Sequence, residues 1–114
     1  MNRNTAQHTL VGPAGPIECA VDEPAGDAQG LRGVAVICHP HPQHGGTMDN
    51  KVVQTLARAF VQLGCRSVRF NFRGVGASGG HWDERRGEVD YALAVIDSLR
   101  ESGKPLWLGG FSLV

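Results

Sequence analysis

A chain of 114 residues has the length of one domain. With 41% hydrophobic and 19% charged residues, its composition is that of an ordinary globular protein. Lys plus Arg and Asp plus Glu both number 11 and the arginines are scattered, so no basic stripe is ready for nucleic acid or an anionic membrane, and neither partner is expected.

Cys19, Cys38 and Cys65 are an odd set without metal-ligand spacing. Cys38 and Cys65 lie in apolar runs, where buried reduced thiols are expected. The opening "MNRNTAQHTL" has no apolar core of a signal peptide, and no run reaches the length of a membrane span, so a cytoplasmic protein is expected. Eight of the 16 glycines concentrate in 44–47, 74–80 and 109–110, which is turn punctuation rather than low complexity.

Taken in chain order, "TLVGPAGPIECAV" predicts a hairpin, Thr9–Val11 with Ile17–Val21. "GVAVIC", Gly33–Cys38, is a continuous β-branched apolar run, as expected of a strand buried on both faces. After a histidine-rich loop, Val53, Leu56, Ala57 and Phe60 recur at helical spacing. Asp49 or Thr47 is the expected cap and Gly64 the stop. "CRSVRFNF", Cys65–Phe72, is a second strand with Val68, Phe70 and Phe72 alternating. A second helix is expected over about Glu84 to Ser102, with a stripe of Val89, Ala92, Leu93, Ile96 and Leu99. Gly103 and Pro105 end it. "LWLGGFS", Leu106–Ser112, is the last strand. Strands alternating with amphipathic helices predict a parallel sheet with right-handed crossovers. The loops His39–Thr47, Arg73–Gly80 and Ser112 onward then leave carboxyl ends at one sheet edge, where such folds place their chemistry.

Three chemistries suit these loops. Gly110-Phe111-Ser112-Leu113 is four fifths of G-x-S-x-G, the sharp strand-to-helix turn that lifts a serine nucleophile above a sheet. Gly110 supplies the small residue before Ser112, whereas Val114 stands where a small residue is expected after it. His39, His41 and His44 form H-x-H-x-Q-H, a ligand pattern for zinc in which Gln43 replaces a carboxylate. The competing reading is a stiff loop, held by Pro40 and Pro42, whose histidines bond backbone. Gly74, Gly76 and Gly79 match G-x-G-x-x-G, but no helix opens inside the motif and the next strand ends without an acidic residue, as Asp97 lies in the helix. A dinucleotide site is therefore not expected.

Together, "VAVICHPHPQHGGTMDNKVV", "VRFNFRGVGASGG" and "LWLGGFS" resemble the third, fourth and fifth strands of the α/β-hydrolase superfamily with their following loops. "CHPHP…GGTMDNKVV" is similar to a branch of small bacterial hydrolases related to dienelactone hydrolases. The resemblance implies a three-layer α/β-hydrolase-type sandwich with an N-terminal hairpin plus parallel strands. It implies hydrolysis of a small-molecule carboxylic ester or lactone without a cofactor.

In that reading Ser112 is the nucleophile, and the oxyanion hole uses the backbone N–H of Leu113 and one N–H from the loop after the third strand. Pro40 and Pro42 have none to donate, so His41 supplies it. His39, Gly45, Gly46, Gly74 and Gly76 then shape the loops beside the pocket. The family's acid and catalytic histidine follow the nucleophile. Residues 1–114 are therefore expected to be a partial domain, the N-terminal half, inactive by itself. His39, His41, His44 and His81 stand as alternative bases at the same edge. Two other readings stay open: an inactive fragment that self-associates through its exposed last strand, and a metal-dependent hydrolase using His39, His41 and His44.

Overall fold

The computed structural model of the chain describes residues 5–13, 15–26, 30–39, 47–72, 75, 76, 78, 79 and 86–110. Strands β1 (Ala6–Gly12) and β2 (Gly15–Asp22) form the N-terminal hairpin, longer at both ends than the alternation of sequence suggested. They are followed by β3 (Gly33–Cys38), α1 (Lys51–Gln62), β4 (Cys65–Phe70), α2 (Arg86–Leu99) and β5 (Leu106–Gly110). The five strands make one mixed sheet in the order β1-β2-β4-β3-β5. The hairpin joins antiparallel through β2 and β4, whereas β3 runs parallel to both β4 and β5.

β3 shows why this is a three-layer arrangement. Val34 and Val36 face one side and join Val68, Phe70, Tyr91 and Val95 in a cluster with α2. Ala35 and Ile37 face the other and pack on Val53 and Ala57 of α1. Alternate residues of one strand are thus buried under two different helices, as a continuous apolar run requires. Phe72 also packs on the α2 side, in step with Val68 and Phe70, although the strand's ladder ends at Phe70.

The expected cap of α1 is corrected. Asn50, immediately before the first helical residue, accepts from Val52 N–H at 2.9 Å and Val53 N–H at 3.4 Å. Thr47 Oγ1 instead accepts from Asp49 N–H, and Asp49 is drawn away to Arg69. Gly64 does end the helix, with φ +90°, which a side chain would strain.

The expected stripe of α2 is also rotated. Tyr91 and Val95 are fully buried, Ala92, Ile96 and Leu99 partly so, and Leu93 is 52% exposed. The Tyr91 hydroxyl donates to Gly79 C=O at 2.9 Å, so the ring can be buried without stranding its polar end. The side chain of Val89 lies outside the described residues. No helix among the described residues is long and apolar enough to cross a membrane.

Two predictions follow from this packing. Cys19 and Cys65 are buried, while Cys38, at the end of β3, is only partly so. Burial, helped by nearby Glu18, pushes the Cys19 thiol from its ordinary 9.0 to about 12. Burial also pushes Cys65 up, against the pull of Arg32. At pH 8 a shift of that size leaves Cys19 a thiolate fraction smaller by on the order of 10³. Alkylation followed by mass spectrometry should modify Cys38 first and leave Cys19 intact until unfolding. Because the folded pKa is raised, the neutral thiol's contribution to stability is present below pH 9 and is lost as pH climbs toward 12. Separately, Asn50→Ala should lower unfolding stability by about 1 kcal/mol in a urea titration, the usual value of a lost N-cap.

Candidate active site

The parallel registers decide what meets what at the carboxyl edge. Ile37 on β3 lies opposite Arg69 on β4, and Cys38 lies opposite Gly110 on β5. β3, β4 and β5 therefore end at one edge of the sheet, as the alternation of elements predicted. The approach of β5 to β3 is close there: a Cβ on Gly110 would stand 3.1 Å from Cys38 C=O.

His39 is the first residue out of β3. It is buried, and its ring lies edge-on to Phe72 with centroids 4.8 Å apart. Its Nε2 accepts from Phe72 N–H at 3.1 Å. That nitrogen therefore carries no proton and its lone pair is spent on the backbone. In this arrangement Nε2 is occupied by the backbone rather than open to a metal ion or a proton from substrate. Among the described residues no group of three His, Cys, Asp or Glu is placed to hold a metal ion. His41, His44 and His81 lie outside the described residues, as do Gly45, Gly46, Gly74, Ser112 and Leu113.

After β4, Val75, Ser78 and Gly79 are bonded to their own neighbourhood and to β2. Val75 N–H donates to Phe72 C=O, Ser78 N–H to Val75 C=O, and Gly79 N–H to Pro16 C=O, all at 2.8–3.0 Å. Gly76 has φ +54°, and a Cβ there would come within 2.5 Å of Asn71 Nδ2 and 2.7 Å of Glu18 Oε1. Glycine is required because a polar bond fills the space beneath it. α2 starts at Arg86, seven residues past Gly79, so among the described residues no helix N-terminus opens within the motif.

The site's supporting groups went unnoticed in the sequence. Asn71 Oδ1 accepts from Met48 N–H at 2.8 Å, and Asn71 Nδ2 donates to Glu18 Oε1 at 2.6 Å. Ser78 Oγ accepts from Glu18 N–H and donates to Asn71 C=O. Arg69 Nη1 donates to Met48 C=O at 2.8 Å and to Asp49 Oδ1 at 3.1 Å. Their signal was visible: Ser67, Arg69 and Asn71 alternate with Val68, Phe70 and Phe72. It reads as a solvent-facing side, whereas α1 and the 47–49 turn cover it.

No family model matches the chain. It does superpose on the crystal structure of an α/β serine hydrolase without a lid from Xanthomonas campestris. The TM-score is 0.84 with 44% identity, over 98% of this chain and 52% of that one. It also superposes on an α/β serine hydrolase homologue from Coxiella burnetii, with a TM-score of 0.81 and 43% identity, over 98% and 53%. An uncharacterized protein of Rickettsia prowazekii is 44% identical over 69 residues, 60% of this chain and 29% of that protein. The chain thus spans about half the length of the solved relatives. Likeness of this degree over nearly every residue, in the strand order that brings the three loops to one edge, means that the chain belongs to the α/β-hydrolase superfamily.

Proposed function

We propose that this chain carries the nucleophile and the oxyanion hole of a serine hydrolase acting on small carboxylic esters or lactones. The observation that supports it is the register pairing Cys38 with Gly110. β3 and β5 end side by side at one level, so in this reading a serine following β5 and an N–H following β3 address one carbonyl.

In this reading Ser112 Oγ attacks the substrate carbonyl carbon while a general base takes its proton. The carbonyl π electrons move to oxygen, and the resulting oxyanion is held by the backbone N–H groups of Leu113 and His41. Collapse of this intermediate expels the alkoxide, which leaves as alcohol after receiving the proton from the base. Water then attacks the acyl-serine by the same path in reverse. Such a site needs a histidine base and a carboxylate to orient it, and the resemblance places both after the nucleophile. Residues 1–114 expressed alone should therefore turn over no ester.

A second reading concerns those residues by themselves. β5 is an edge of the sheet, with Trp107 42% and Leu108 60% exposed. An apolar edge strand invites pairing with another strand. Expressed alone, residues 1–114 should sediment as dimers or larger species, and Leu108→Lys should shift them toward monomer. A monomer at all concentrations would dismiss this reading.

The catalytic reading is checked by labelling. In the full chain a fluorophosphonate should modify Ser112, seen as a mass shift on its peptide. Ser112→Ala should abolish the label and lower kcat on p-nitrophenyl esters by at least about 10³. Unchanged turnover in that variant would show that Ser112 is not the nucleophile.

A further inference from the structure

The two outer strands of the sheet differ in character. β1 carries Gln7, His8 and Thr9, all exposed, the polar dressing that discourages pairing at a sheet edge. β5 reads Leu-Trp-Leu-Gly-Gly, with no charge and no proline, and among the described residues it pairs only with β3. Its outer edge has a definite pattern. Val34 N–H donates to Pro105 C=O at 3.0 Å, and Val34 lies opposite Leu106. Backbone groups alternate along a parallel ladder, so those of Trp107 and Gly109 also turn to β3, while those of Leu106, Leu108 and Gly110 turn outward. Side chains alternate between the faces in step. Trp107 lies on the α1 face, its ring centroid 6.2 Å from that of Phe60. Gly109 lies on the same face beside Ile37, and Leu106 packs on the α2 side.

We infer, on the self-association reading, that the outer edge of β5 is filled by β5 of a second copy, antiparallel, with the twofold axis at Leu108. A contact of this symmetry sets residue i against j and j against i. About this axis Leu108 faces the partner's Leu108, Leu106 faces the partner's Gly110, and Trp107 faces the partner's Gly109. The residues with outward groups then oppose one another along the whole of both strands and exchange N–H···O bonds. Each bulky side chain off the axis lies against a glycine on its own face, so the indole covers backbone that has no side chain of its own. An axis at Trp107 would instead set two indoles against each other, oppose Gly109 to the partner's Pro105 and leave Gly110 beyond the end of the partner's strand. No like charges meet, because the strand holds none. Five paired residues from each copy make a small interface, so the dimer is weak and concentration-dependent rather than permanent.

The test is made on the 114-residue chain under mild oxidation. Leu108→Cys should form a disulfide between two copies, found by mass spectrometry on the peptide carrying position 108, since directly opposed residues have Cα atoms about 5.5 Å apart. Leu106→Cys should not, because the two 106 positions lie on opposite sides of the axis, about 13 Å apart. Gly109→Val should weaken association in sedimentation at least about tenfold by filling the place of the partner's indole. The monomer accepts that change, as a Cβ there stands 3.6 Å from Ile37 Cδ1, an ordinary contact.

A chain that is monomeric at every concentration overturns the dimer and the self-association reading together. A dimer that links at position 106 as readily as at 108, or at neither, or that is indifferent to Gly109→Val, leaves self-association standing and overturns the axis. Hydrogen exchange separates one further case. A protected Leu108 amide in a monomer means that a segment of the same chain fills the edge, and the second copy is then dismissed.

Discussion

β3 has parallel neighbours on both sides, and most of the structure is a consequence of that. Parallel strands cannot be joined by a tight turn, so each connection must cross a face of the sheet, and a helix is the usual crossing element. The chain goes from β3 over α1 to β4 on one side, then by α2 to β5 on the other. Val34, Val36, Ala35 and Ile37, each at most 1% exposed, are buried alternately beneath the two helices. Full burial of a valine or isoleucine stabilises by about 1.5–3 kcal/mol. Replacing one of them by a polar residue would remove that contribution and strand a polar group. The same geometry sets the chemistry, because parallel strands end on one side and all following loops share an edge.

A second constraint is polar. Ser67, Arg69 and Asn71 turn buried polar atoms toward α1 and the turn before it, where a group without a partner is expensive. The Ser67 hydroxyl donates to Ala57 C=O at 2.6 Å, tying the strand to the helix interior. Arg69 is tolerated because Asp49 and a carbonyl receive its charge. These bonds need a particular register between β4 and the 47–49 turn, so they hold the loop ends in place in a way apolar contacts do not.

Much of the fold was legible. The continuous run Gly33–Cys38 announced a strand buried on both faces, and its bounds match the structure. The positions of α1, β4 and β5 followed from the spacing of Val53, Ala57, Val68 and Phe70 and from the glycines between them. Local misreadings had a common cause. Asp49 and Thr47 are good capping residues, yet Asn50 occupies the position from which a side chain reaches the first free N–H groups. Leu93 is more apolar than Tyr91, yet Tyr91 is buried, because Gly79 offers its hydroxyl a carbonyl. In both cases propensity was right in kind, and the choice among adjacent residues was made by a partner elsewhere in the chain.

From the sequence alone came the alternation of strands and helices, the loops able to carry chemistry, and the residues suited to a nucleophile and an oxyanion donor. Those are properties of local order: periodicity, glycine and proline placement, and side-chain type. Tertiary structure decided which polar residues are tied to the ends of these loops. His39 bonds a backbone N–H 33 residues away, and Asn71 joins Met48 to Glu18 across β4 and β2. No local pattern encodes such bonds, since they depend on strand register and on how the turn before α1 meets the end of β4. A serine and a histidine are legible as candidates at once, but the distances between their loops exist only after the sheet has formed.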